Sequence, residues 1–213
     1  MAVRGRTDNG AVNEAPVVIS RLALAVAVGL AAGALTLWSV LRLPFALTPL
    51  SNAAAPWVLV AFVVALTARW KSEAALLAIV TFVALVVGFY VAEHLRGWPV
   101  DRHQVVFWTQ TSVIAGPVVG LAAGWLRHAG RTAGALGAGV LGGLLTGEAV
   151  HGLTALKFSS PAHFWEAQFV LGVALAVGLT LWRTRWSSIP AVAVSLAACC
   201  AVTVGTVIAF GLQ

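Results

Sequence analysis

The chain has 213 residues, of which 60% are hydrophobic and only 9% charged, and its mean hydropathy is +0.94. A soluble chain carries about a quarter charged residues, so a water-soluble fold is excluded and an integral membrane protein is indicated. Thirteen Lys and Arg against seven Asp and Glu give a net charge of +6. These basic residues lie in the tail and in short loops between apolar runs, without the grooved cluster of basic and aromatic residues that nucleic acid requires, so the partner they indicate is the lipid bilayer.

The first twenty-one residues contain Arg4, Arg6, Asp8, Asn9, Gly10, Asn13 and Glu14 and lack apolar periodicity. They read as a flexible cytoplasmic tail ahead of a single transmembrane helical domain over 22–213. About twenty apolar residues make one bilayer crossing, and seven runs qualify: Leu22–Leu41, Ala53–Ala68, Ala74–Ala92, Val105–Leu126, Ala133–Val150, Phe164–Trp182 and Ile189–Leu212. Leu22–Leu41 is too long for the core of a signal peptide and is expected to stay as an anchor. Ala53–Ala68 is the shortest and follows Pro44, Pro49 and Pro56; a re-entrant turn there would reduce seven crossings to six. No ten-residue alternation of apolar and polar positions occurs, which argues against a barrel. The fold class expected is all-α, a polytopic transmembrane helix bundle.

Cytoplasmic loops retain positive charge. With the amino end inside, Arg4, Arg6, Arg21, Arg69, Lys71, Arg127, Arg131, Arg183 and Arg185 are cytoplasmic, against Arg42, Arg96, Arg102 and Lys157 outside. The predicted orientation is therefore N-in, C-out, in the inner (plasma) membrane. Indole rings favour the headgroup layer. Trp38, Trp57, Trp98, Trp108 and Trp165 fall at the outer level, and Trp70, Trp125, Trp182 and Trp186 at the inner one.

Small residues let membrane helices approach closely. Gly29 and Gly33 mark the first helix, Gly116, Gly120 and Gly124 the fourth, and Gly139, Gly143 and Gly147 the fifth, so the fourth and fifth are expected to form a close antiparallel pair. Pro117 is positioned to bend the fourth. The adjacent Cys199 and Cys200 point about 100° apart on a helix and suit packing rather than a disulfide.

Candidate chemistry collects at the outer end. Glu148 lies inside the fifth run, where a carboxylate must be paired or hydrogen-bonded, and His151 shares its helix face. Such a pair can relay a proton, hold a cation or grip a polar ligand; the plainer alternative is a carboxyl hydrogen-bonded to a neighbouring helix. His94, Asp101 and His103 lie in or beside the third loop, and His163 with Glu166 opens the sixth helix. They are weak metal-ligand candidates because their spacing matches no known site. Complete motifs for a serine hydrolase, a zincin or a P-loop are absent, so a non-enzymatic role is favoured over catalysis, and no cofactor is expected.

Ser51-Asn52 followed by Trp57, Gly88-Phe89-Tyr90 at the end of the third helix, and Gly147-Glu148 late in the fifth resemble the uncharacterised multi-pass membrane proteins, common in actinobacteria, grouped as domain-of-unknown-function family 6518. The resemblance covers roughly Arg21 to Leu212. It implies a compact helical bundle with Asn52, Trp57, Tyr90 and Glu148 as positions to test, and Phe89 stands where a second tyrosine is expected. The function expected is binding or translocation of a small molecule or ion from the outer face, with Glu148 and His151 as its polar centre and Asn52, Trp57 and Tyr90 around the mouth. A non-catalytic membrane subunit, paired with another membrane protein or its own copies, is the alternative, and a metal-dependent membrane enzyme the third.

Overall fold

A computed structural model describes residues 15–51, 53–156, 160–184 and 189–211. Arg4, Arg6, Asn52, Lys157, Arg185 and Trp186, singled out in the sequence, lie outside the described residues. Among those described, every regular element is helical: α1 Ala15–Arg42, a 3-10 turn Phe45–Ser51, α2 Ala55–Ala65, α3 Lys71–Leu95, α4 Arg102–His128, α5 Arg131–Ala155, α6 Ala162–Thr184 and α7 Ile189–Gly211. All but α2 are long and apolar enough to cross a membrane.

Local chemistry sets several boundaries. Pro16, Pro56 and Pro190 stand in the first turns of α1, α2 and α7, where a proline's missing N–H has no intrahelical partner to lose. Asp101 caps α4 by accepting from the His103 N–H at 2.8 Å, and Gly97, at φ 74°, turns the chain out of α3. α4 continues through Pro117 as one helix.

α1 starts at Ala15, inside the stretch expected to be a flexible tail. Its first turns are held because Arg21 Nη1 donates to both oxygens of Glu73, at 3.0 and 3.2 Å. That ion pair also sets direction. Arg21 meets Glu73 near the start of α3, and Gly33 meets Leu85 and Phe89 near its end, so α1 and α3 run parallel. The intervening segment must therefore carry the chain back across the bundle. α2 rises only about 16 Å at 1.5 Å per residue, short of a 30 Å hydrocarbon layer. The 3-10 turn and α2, meeting at 51°, together form a broken return leg, so the seventh expected crossing is made by a bent pair and not by one continuous helix.

The other legs alternate regularly. Gly116 faces Ile79, and Gly120 faces Ala74 and Ala75, making α3 and α4 antiparallel. Gly139, Gly143 and Gly147 face Ser195, Cys199 and Thr206 in turn, making α5 and α7 parallel. The two glycine ladders thus dock on α3 and α7; α4 and α5 are antiparallel neighbours as expected, but through Gly134 and Gly137 against Ala122, Trp125 and Leu126. The arrangement repeats itself: in α1–α3 and again in α5–α7, glycines of the first helix dock on a parallel third, with α4 between the halves. Thr146 and Thr203, 2.5 Å apart, tie α5 to α7, and Ser195 donates to the Ala176 carbonyl at 2.9 Å to tie α7 to α6. Cys199 is buried, Cys200 exposed, and both are free thiols.

Candidate functional site

The broken leg organises the end of the bundle at which α2 begins. A helix begins with unpaired N–H groups and a partial positive charge, and in α2 neither Ala54 nor Ala55 has a side chain able to satisfy them. Glu148 supplies the acceptors. Its Oε1 accepts from the Ala54 N–H, and its Oε2 accepts from the Ala55 N–H at 2.8 Å and from Gln168 Nε2 at 2.9 Å. Only 7% of Glu148 is exposed. The same Gln168 amide also donates to the Leu145 carbonyl at 3.2 Å. Three helices from two halves of the bundle are joined at one carboxylate.

The opposite end of this return leg meets Arg127 and His128. Arg127 Nη1 donates to the Leu66 carbonyl, and His128 Nε2 lies 2.9 Å from the Ala68 carbonyl oxygen. α2 is therefore held by the Glu148 carboxyl group at its amino end and by Arg127 at its carboxyl end, where the helix dipole favours a cation.

Beside the Glu148-capped end lies a cavity of about 90 Å³ lined, among the described residues, by Ser51, Trp57, Val86, Phe89, Tyr90 and Trp108. Trp57 is fixed on one side by donating from Nε1 to Thr36 Oγ1 at 3.2 Å. On another side its ring meets Trp108 edge-on, with centroids 5.5 Å apart. Phe89 and Tyr90 make a second edge-on pair at 5.3 Å. Glu93 follows Tyr90 by three residues on the same helical face, and its Oε2 is buried without a hydrogen-bond partner.

The expected site residues are thus divided. Trp57 and Tyr90 meet in the cavity. Glu148 is not among the lining residues; its oxygens accept from α2 and Gln168, the hydrogen-bonded arrangement that the sequence also allowed. His151 is half-buried one turn beyond Glu148. His94, Asp101, His103, His163 and Glu166 are not gathered: among the described residues, no group of three His, Cys, Asp or Glu side chains can hold one metal ion. Trp165, expected at the interface, is instead 4% exposed, bonded to Ser160 at 2.8 Å and packed on Gly152.

Gln168, Ser51, Trp108 and Glu93 were not singled out for the site. Gln168 carried a signal, an amide inside an apolar run, where polar groups seek partners on neighbouring helices. Trp108 reads as an interfacial anchor in sequence, and only the approach of α4 to α2 turns it into a cavity wall.

A family model described as a family of unknown function, DUF6518, matches residues 12–213, in agreement with the resemblance read from the sequence. No curated protein and no solved structure matches the chain.

Proposed function

Because the chain belongs to DUF6518, a family of unknown function, we propose a function from its own site: a plasma-membrane bundle, amino end in the cytoplasm, that captures a small organic cation from the outer face. The observation that carries this reading is the cavity walled by Trp57, Phe89, Tyr90 and Trp108. Aromatic faces attract desolvated cations, quaternary ammonium groups above all. The unpartnered Glu93 oxygen adds negative charge on the same face of α3. The broken leg supports a carrier in particular, since interrupted helices at the junction of repeated halves build the binding sites of many transporters. Glu148 acts here as a positioning residue, holding the start of α2 so that Trp57 faces Trp108.

The test is a titration of the full-length protein in lipid nanodiscs, followed by tryptophan fluorescence and calorimetry. Choline is compared with its uncharged carbon isostere, 3,3-dimethylbutanol. Saturable binding of choline, weaker by roughly tenfold or more for the isostere and lost in Trp108→Leu, is expected. Equal binding of both ligands, or none of choline, overturns the reading.

A further inference from the structure

A groove of about 480 Å³ opens at the opposite end of the bundle, lined by Leu66, Leu126, Arg127, Leu179, Trp182 and Arg183. The carboxyl-terminal ends of α2, α4 and α6 converge there. Its walls are aliphatic, Trp182 is 69% exposed at its edge, and both arginines are exposed. Each guanidinium has five N–H donors. Arg127 gives one to the Leu66 carbonyl. Arg183 gives Nε to Leu126 at 3.0 Å, and Nη2 to Arg127 and Ala129 at 3.4 and 3.1 Å. Donors remain on both. Among the described residues Arg21 pairs with Glu73, and neither groove arginine forms an ion pair with a described acid. Arg69, Lys71 and Arg131 add further positive charge at this end.

We propose that this groove is a binding site for one anionic phospholipid, its phosphate held by Arg127 and Arg183 and an acyl chain lying along Leu66, Leu126 and Leu179. Charge complementarity selects the occupant: an aliphatic slot at the edge of a membrane bundle admits any acyl chain, but two uncompensated guanidinium groups at its rim favour a headgroup carrying net negative charge, as basic pockets between membrane helices do. The fork geometry of arginine suits phosphate oxygens, and the amphipathic Trp182 ring suits the glycerol level. The site is independent of the outer cavity, so either can fail alone.

Native mass spectrometry of the delipidated full-length protein tests it, with phosphatidylglycerol and phosphatidylcholine of identical acyl chains added in turn. One phosphatidylglycerol should be retained roughly tenfold more strongly than phosphatidylcholine, from two charge contacts. The Arg127→Gln, Arg183→Gln double variant keeps amide donors for the carbonyls and should lose that preference. Leu179→Trp fills the slot, leaves both guanidinium groups in place and should lower retention of phosphatidylglycerol several-fold. Equal retention of the two lipids by the wild-type protein, or undiminished phosphatidylglycerol in the folded variants, overturns the proposal.

Discussion

The Glu148 carboxyl group, toward the carboxyl-terminal end of α5, accepts a 2.8 Å hydrogen bond from the backbone N–H of Ala55, 93 residues away in the chain, and so closes the first turn of α2. A side chain from one half of the bundle thereby completes a helix in the other. Hydrogen bonds to a charged acceptor contribute about 1.5–3 kcal/mol each, and an N–H left without an acceptor in the bilayer interior costs comparably. Glu148→Gln leaves one amide oxygen for three donors and turns an NH₂ group toward the N–H of Ala54 or of Ala55. It should lower the unfolding midpoint in mild detergent by several degrees, whereas Gln168→Leu, which removes one donor and leaves the cap in place, should lower it less. Equal midpoints for wild type and Glu148→Gln would show that the cap is dispensable.

The Arg21–Glu73 pair is asymmetric. Glu73 also accepts from the Arg69 N–H, so its removal strips the turn before α3 as well as the ion pair, while Arg21 is 24% exposed in its side chain and reaches water. Glu73→Ala is expected to cost about 1–3 kcal/mol, and Arg21→Ala about 1 kcal/mol or less. A double-mutant cycle on equilibrium unfolding measures the shared part; identical losses for the two single variants would contradict the asymmetry.

Close approach of helices is concentrated at particular glycines. A methyl group at Gly120 would run into the Ala74 carbonyl oxygen, backbone that cannot step aside, whereas one at Gly178 meets nothing within 4 Å. Gly120→Ala should destabilise the fold by about 1–3 kcal/mol through overpacking. Gly178→Ala should be neutral or slightly stabilising, because alanine favours a helix interior over glycine by about 1 kcal/mol. Folded yield and thermal midpoint of the two variants separate these outcomes cleanly.

Because α1, α3, α5 and α7 share one direction, the described chain starts and finishes at opposite ends of the bundle. Alkaline phosphatase fused after Gln213 should be active in cells and green fluorescent protein fused there dark, with the reverse at the amino end. Reporters on the same side for both ends would mean that the 3-10 turn and α2 do not complete a crossing.

Six long helices and a helical fold were legible without coordinates, because membrane insertion is a local test that each run of apolar residues passes or fails alone. Glu148 stood out for the same local reason, as an acid at membrane depth, and Trp57 and Tyr90 were selected through the family resemblance. Their relationships were not legible. Which helix a glycine ladder meets depends on how whole helices pack, and equal spacings on α4 and α5 suggested each other as partners although they dock on α3 and α7. That the second run stops at eleven helical residues reflects no change in hydropathy; its start is completed by Glu148, its far end meets Arg127, and both lie far along the chain. Apolar length alone determined that this chain lives in a bilayer. The tertiary structure decided that Glu148 caps a broken helix, because a hydrogen bond depends on distance in space and hydropathy carries no record of it.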